Sequence, residues 1–264
     1  KGEENVYKVF VSMRYWKPFV NETIKKVINW NPQEVILLPL YPQFSTTTSG
    51  SSLVSWIDAA LKNKYQIPTK IICCYPTEEN FILAHTKSIK NTLNKIKNNN
   101  DQKQNIKLLF SAHGLPEKII NKGDPYQNQV EKTVNKIIEN INEKEITYTI
   151  CYQSKVGPLK WIGPSTENEI IKAARDKKTI VLIPIAFVSE HSETLVELDI
   201  EYKEIAKING CKRYYRVPAL GINKDFINSL YDLILKNRNN LILNTKICES
   251  KFKECFYNTL WENK

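Results

Sequence analysis

Methionine occurs once in 264 residues, glycine 8 times and histidine 3 times, and arginine is scarce among the 38 basic side chains. With its only Met at position 13, the chain is expected to be processed or a fragment rather than a complete translated frame. Eight glycines and 10% aromatics exclude collagen-like, mucin-like and disordered classes. No apolar run approaches the ~20 residues that a bilayer-spanning helix needs. The longest, from Thr179 to Val188, is about half of that and is interrupted by Pro184, so it reads as a buried strand. The chain is not expected to be an integral membrane protein. Neither Gly-x-Gly-x-x-Gly nor Gly-x-Ser-x-Gly occurs, which counts against dinucleotide oxidoreductases and α/β hydrolases. The first residues carry no signal or transit pattern.

What is abundant is Lys, Asn and Ile. The formal charge is +10, but stretches such as Asn91 to Asn100 look like A/T-biased coding that raises Lys at solvated positions. Arg usually carries bidentate recognition of bases and phosphates, and its scarcity argues against nucleic acid as the main partner. The 6 cysteines (73, 74, 151, 211, 248 and 255) form no disulfide framework and no CxxC zinc pattern; they read as buried free thiols.

Short β-branched runs alternate with amphipathic stretches, the signature of βα units on a parallel sheet. Strands are predicted at Tyr7–Ser12, Glu34–Pro39, Lys70–Cys74, Ile106–Ser111, Ile146–Cys151, Ile180–Ile185 and Arg213–Val217. Helices are predicted at Val20–Trp30, Ser51–Lys64, Glu79–Lys97, Gln127–Asn142, Thr166–Arg175, Glu190–Ile208 and Lys224–Lys236. The Asn-rich tract Asn98–Lys103 is the best linker candidate and gives domains 1–102 and 103–264. The fold class is therefore α/β, with two doubly wound, parallel-sheet domains and a ligand cleft between them at the strands' carboxyl ends.

The histidines can be weighed one by one. His85 falls inside a helical pattern among apolar neighbours and reads as a packing or surface residue. His113 follows Leu108-Leu-Phe110 and precedes Gly114-Leu-Pro116, which stops the strand and sets an imidazole at the cleft lip. His191 opens the segment running to Tyr202. There Glu193, Glu197 and Glu201, spaced i, i+4, i+8, would align on one helical face with no Lys between them to relieve repulsion. Imidazole with carboxylates suits a borderline divalent metal, delivered rather than retained. Two loops could hold an anion or line a pocket: the hydroxyl-rich Tyr41 to Ser52, and Gln153-Ser-Lys-Val-Gly-Pro158 with Trp161 beyond.

At these residues the sequence resembles ferrochelatase, the terminal enzyme of haem synthesis. The motifs, in the family's order, begin with Met13-Arg-Tyr15, Tyr41-Pro-Gln-Phe-Ser45 and Thr47-Thr-Ser-Gly-Ser-Ser52. Ser111-Ala-His-Gly-Leu-Pro116, Gly123-Asp-Pro-Tyr126, the Gln153 to Pro158 run and Trp161-Ile-Gly-Pro164 follow. Pro184-Ile-Ala-Phe187 and His191 to Tyr202 complete the set. The resemblance implies insertion of Fe2+ into protoporphyrin IX, with two protons released, on two Rossmann-like domains around a cleft. It implies His113 and Glu193 as catalytic groups facing each other across the porphyrin. It implies Glu197 and Glu201, with that pair, as the residues that handle metal. Arg14, Tyr15, Ser45, Tyr126, Ser154, Trp161, Phe187 and His191 match positions that line or support the pocket. The helix carrying His191 and Glu193 has a π-type distortion in the family.

No tightly bound cofactor is implied, Fe2+ being a substrate. Some members carry a [2Fe–2S] cluster on three tail cysteines and one in the hydroxyl-rich loop. This chain has Thr46 at the loop position and only Cys248 and Cys255 in the tail, so a cluster of that type is not expected. Porphyrin and Fe2+ are the implied partners, with peripheral membrane association, in mitochondria or alternatively in plastids or the bacterial cytoplasm. The family has a sizeable portion ahead of the position of Met13, including its first strand and one lip of the porphyrin mouth; here 12 residues precede it. Two alternatives therefore stay open. One is a catalytically incompetent tetrapyrrole- or metal-binding fragment. The other is a chelatase for coproporphyrin or sirohydrochlorin.

Overall fold

The computed structural model describes residues 6–97, 105–143, 146–238 and 248–256. The first half contains α1 (Val20–Trp30), β1 (Val35–Leu37), α2 (Ser51–Lys62), β2 (Thr69–Ile71) and α3 (Glu79–Lys97). Strands β1 and β2 pair in parallel, Val35 opposite Thr69. Helix α1 buries Thr23, Ile24 and Val27 on one side and ends at Asn31, which takes the left-handed conformation that Asn tolerates at a helix end. Ile24 and Val27 pack against Trp56 and Ala59.

The second half contains β3 (Ile106–His113), α4 (Glu117–Asn121), α5 (Tyr126–Ile141), β4 (Thr147–Gln153), α6 (Thr166–Arg175) and β5 (Thr179–Pro184). It continues through α7 (Ser192–Leu195), α8 (Tyr202–Ile208), β6 (Tyr214–Arg216) and α9 (Lys224–Arg238). Its sheet is parallel throughout, in the order β4-β3-β5-β6. Strand parity sorts the core into two layers. Ile106, Leu108, Phe110 and Ala112 of β3 join Val181 and Ile183 of β5 in one layer, with residues of α3, α5 and α9. Leu109, Ile180 and Leu182 face the other way, against Ile170, Ala173 and Ala174 of α6 and Ala206 of α8. A sheet covered on both faces needs apolar residues at successive positions, which is why β3 and β5 read as continuous runs instead of alternating ones.

This topology places the site. The chain runs from β3 to its neighbour β4, then crosses back over β3 to add β5, so the order reverses between β3 and β5. A crevice opens at such a point, beyond the carboxyl ends of the strands. His113 ends β3, and the segment after β5 carries Glu193.

Three expectations need correction. Tyr7–Ser12 is not a sheet strand: among the described residues no β-pairing involves this stretch, the nearest bridge joining Met13 and Phe19, and Val9 is 88% exposed. Alternating apolar residues make a strand only where a neighbour offers backbone groups to pair with. Glu190–Ile208 is not one α-helix. The chain makes α7, a π-helical turn over Glu197–Glu201, and α8. The hydroxyl-rich loop also contains a π-helical turn, Thr46–Gly50, running directly into α2. The linker candidate 98–103 lies outside the described residues. Among the described residues, no helix is long and apolar enough to cross a membrane.

Candidate active site

The centre of the site is the approach of His113 Nε2 to Glu193 Oε1, at 3.4 Å, with the two side chains 35% and 38% exposed. The ring's other nitrogen, Nδ1, lies 2.7 Å from the carbonyl oxygen of Gly114 and donates to it, which aims Nε2 at the cleft. Behind the strand end, the Tyr126 hydroxyl donates to the main-chain oxygen of His113 at 3.0 Å. Burial acts to lower the His113 pKa, but the hydrogen bond and charge of Glu193, the Gly114 carbonyl and the charge of Glu197 together raise it above the ordinary value. The Glu193 pKa is lowered, chiefly by its hydrogen bond to His113, against an opposing burial effect. The two shifts describe one ion pair, an imidazolium held against a carboxylate.

His191 caps α7. Its Nδ1 accepts the Glu193 backbone N–H at 3.2 Å, and the Thr194 hydroxyl closes a reciprocal box on the His191 backbone. That same Nδ1 lies 3.8 Å from Glu193 Oε2 but, being an acceptor already, has no proton to give the carboxylate. Phe187 packs edge-on against the His191 ring, centroids 4.7 Å apart. On the opposite flank Trp161 tilts against His113 at 6.3 Å. Gly114 permits this: a Cβ there would stand 3.0 Å from Trp161 Cε3 and 3.1 Å from the Gln153 carbonyl oxygen.

The acidic row divides among different partners. Glu197 accepts from Ser154 N (2.9 Å), Ser154 Oγ (2.6 Å), Gln153 Nε2 (3.0 Å) and the Tyr202 hydroxyl (2.8 Å). Glu201 is exposed. In the π-turn the Glu201 N–H reaches back to the Val196 oxygen, five residues away, so the segment does not keep the α-helical pitch on which the row was predicted. Among the described residues, no three His, Cys, Asp or Glu side chains are arranged to hold a metal ion. His113 and Glu193 meet; Glu197 and Glu201 do not join them. Nor is the segment unrelieved by cations. Arg216 of β6 binds Asp199 through two nitrogens and Glu190 through a third. Its guanidinium comes from another element, which spacing within the helix could not reveal.

The first half supplies the other side. Arg14 donates to Ser51 Oγ at 2.6 Å and stacks on Tyr15, whose hydroxyl donates to the Thr47 oxygen. Tyr15 is 66% exposed. Ser45 is wholly buried, donating to Asp124 and capping the π-turn through Thr47 N, so it does not reach a cleft surface. Tyr126 is buried as well and acts through its bond to His113. Two residues escaped the sequence-level choice. Tyr41 has its phenol pKa raised by burial, then by the charges of Tyr15 and Glu193, so it lies within electrostatic reach of both. Asp124 accepts from Ser45, both groups of Thr46 and Tyr126 N. Both stand inside quoted motifs, but nothing in the motif marks them apart.

The residues do not fit a [2Fe–2S] cluster of the pattern described above. Thr46 gives its hydroxyl to Asp124, and no cysteine stands there. Cys248 lies instead near Cys74, with Gln129 Nε2 donating to both sulfurs at 3.1 and 3.3 Å. A hydrogen bond with Cys255, and then burial, raise the pKa of Cys248; the bonds with Cys255 and Cys74, and then burial, raise that of Cys73.

The ferrochelatase family model matches residues 1–238. The ferrochelatase of Pelagibacter ubique is 57% identical over 96% of this chain and 73% of its own length. Those of Rickettsia typhi and Rickettsia prowazekii are 50% and 49% identical, over 96% and 95% of this chain and 72% of each of theirs. Among solved structures, SirB from Bacillus subtilis with Fe3+ superposes with a TM-score of 0.60 at 13% identity, covering 85% of this chain and 79% of that one. CbiX, described as the terminal enzyme for biosynthesis of sirohaem in denitrifying bacteria, gives 0.52 at 12%, over 78% and 77%. At such identities these two bear on the fold alone, and it is the chelatase-type α/β fold. By the family match and its close relatives, the chain belongs to the ferrochelatase family.

Proposed function

We propose that this chain inserts Fe2+ into protoporphyrin IX at the His113–Glu193 pair, releasing two protons and forming protohaem. The observation that carries the reading is the 3.4 Å contact between imidazole and carboxylate, part-exposed where the sheet order reverses. A porphyrin must lose two N–H protons before its four nitrogens close on a metal. His113 Nε2 and the Glu193 carboxylate face each other within proton-transfer reach, so the pair can accept a proton from the ring and pass one outward. Imidazole nitrogen and carboxylate oxygen also suit Fe2+, which passes through as substrate. Trp161, Phe187 and Tyr15 provide aromatic surface for a flat macrocycle, and bending the ring would expose its nitrogen lone pairs. In this reading Arg14 and His191 hold the walls, Ser154 and Glu197 anchor the second wall from behind, and Ser45 and Tyr126 support from within. In this reading the halves divided at 102/103 supply the two sides, with α3 of the first half packed into the core of the second.

The named relatives are bacterial, which favours the bacterial setting over mitochondria or plastids; peripheral attachment to a membrane belongs to the same proposal. Zinc insertion into protoporphyrin IX, followed by fluorescence, tests the assignment. His113→Ala and Glu193→Gln should each lower turnover by about 100-fold or more, as loss of an acid–base group does. Full activity in either variant would refute the site. Comparing tetrapyrroles with two, four and eight carboxylates tests the substrate, and the two-carboxylate ring should be preferred.

A further inference from the structure

Gln153 lies at the last position of β4, directly opposite His113 in the parallel register, and is 1% exposed. Its side-chain amide is fully engaged. Oε1 accepts from Ser111 Oγ at 2.7 Å, and Ser111 in turn contacts Thr166 Oγ1 at 2.8 Å. Nε2 donates at 3.0 Å to the main-chain oxygen of Glu193 and at 3.0 Å to Glu197 Oε2. Its own carbonyl accepts the Gly114 N–H at 2.9 Å, next to the ring of His113. One buried residue therefore joins the strand that carries His113 to the two turns that carry Glu193 and Glu197. Short turns joined by a π-helical segment have few backbone bonds of their own to fix their height above a sheet.

We propose that Gln153 is the positioning residue that sets the separation of His113 and Glu193, by pinning the Glu193 backbone and the Glu197 carboxyl group to β3 through Ser111. It touches no substrate. This role rests on the reading of His113 and Glu193 as the metallating pair, but it is measurable without turnover. Gln153→Glu keeps the shape and the acceptor toward Ser111 while turning the donor into an acceptor that faces two others. Gln153→Met removes both bonds at similar volume, and Gln153→Asn retains the amide on a shorter stem.

The chain has 3 histidines, so nitrogen-15 labelling resolves each ring. In Gln153→Met the His113 resonances should move while those of His85, which is 1% exposed and packed against Phe81, stay as a record that the fold is intact.

 Turnover in zinc insertion should fall by about 10- to 100-fold in Gln153→Glu and Gln153→Met, the scale of a small misplacement of reacting groups. The KM for metal should rise while porphyrin affinity, read by absorbance titration, stays within about twofold. Gln153→Asn should recover part of the loss. If a Gln153 variant fails to fold, Ser111→Ala, which removes the anchor together with its contact to Thr166, should shift the His113 resonances in the same direction. Unmoved His113 resonances in a folded Gln153→Met or Ser111→Ala protein would overturn the proposal, whatever the turnover. A shift of His113 in a protein whose His113→Ala variant is fully active would instead refute the metallating site and leave the positioning role standing.

Discussion

His113 and His85 answer to pH in opposite directions. The His113 pKa is raised, so the stability its ion pair supplies is fully present below the unfolded value of about 6.5 and is lost as pH rises through the folded value. Glu193 is lowered, so its share is present above the ordinary carboxyl range and is lost as pH falls through its folded value. The pair therefore contributes most between about 4.3 and 6.5. Glu193→Gln removes the carboxylate, and the His113 titration followed by NMR should move to lower pH. An unchanged midpoint would mean that Glu193 does not set it. His85 is 1% exposed, neither ring nitrogen has a hydrogen-bond partner among the described residues, and burial pushes its pKa down to about 3. Below its ordinary 6.5 the unfolded chain takes up a proton that the folded ring refuses. Stability should fall by about 1.4 kcal/mol per pH unit through that range on this account alone. His85→Leu should flatten the acid side of the curve in urea unfolding, since it removes the group that titrates. Of the two readings open to His85 in the sequence, packing is the one the fold adopts.

Among elements, the π-turn over Glu197–Glu201 shows where periodicity stops being informative. Leu195, Val196, Leu198 and Ile200 fit a helical stripe on paper, yet only Leu198 of these is buried. Partners outside the segment hold the turn: Tyr214 donates to the Leu198 oxygen at 2.7 Å, and Arg216 grips Asp199 and Glu190. Arg216→Met should loosen this segment specifically. Hydrogen exchange of the amides in 190–201 should accelerate while β3 and β4 keep their protection, at a cost of about 1–3 kcal/mol in local stability. Uniform acceleration across the sheet would show that Arg216 supports the whole fold instead. The stretch from Tyr7 to Ser12 makes the complementary point. Its pattern is that of a strand, but strand formation needs a second chain segment, and sequence pattern alone cannot say whether one is in reach.

Across the molecule, the two halves are tied at the hydroxyl-rich loop. Asp124 takes three hydrogen bonds from that loop and a fourth from Tyr126 N, Gln129 Oε1 accepts from Phe44 N at 2.7 Å, and Gln43 donates to Thr133. Asp124→Ala would leave several buried donors without an acceptor and should cost about 2–4 kcal/mol in urea unfolding. A change under about 0.5 kcal/mol would show that the loop docks by apolar packing alone. Composition and the alternation of apolar runs with amphipathic stretches were enough to determine an α/β chain with a parallel sheet. Turn residues at Gly114-Leu-Pro116 were enough to put His113 at a strand end, and separated motifs were enough to indicate the family. Those are local properties, set by backbone propensity and by which faces must be buried. Only the tertiary structure decided that Glu193 meets His113 while Glu197 and Glu201 turn away, that Ser45 serves Asp124, and that Gln153 and Arg216 hold the acidic segment. Each of these depends on contacts between residues tens of positions apart, whose geometry follows from strand order and helix pitch and leaves no periodic trace in the chain.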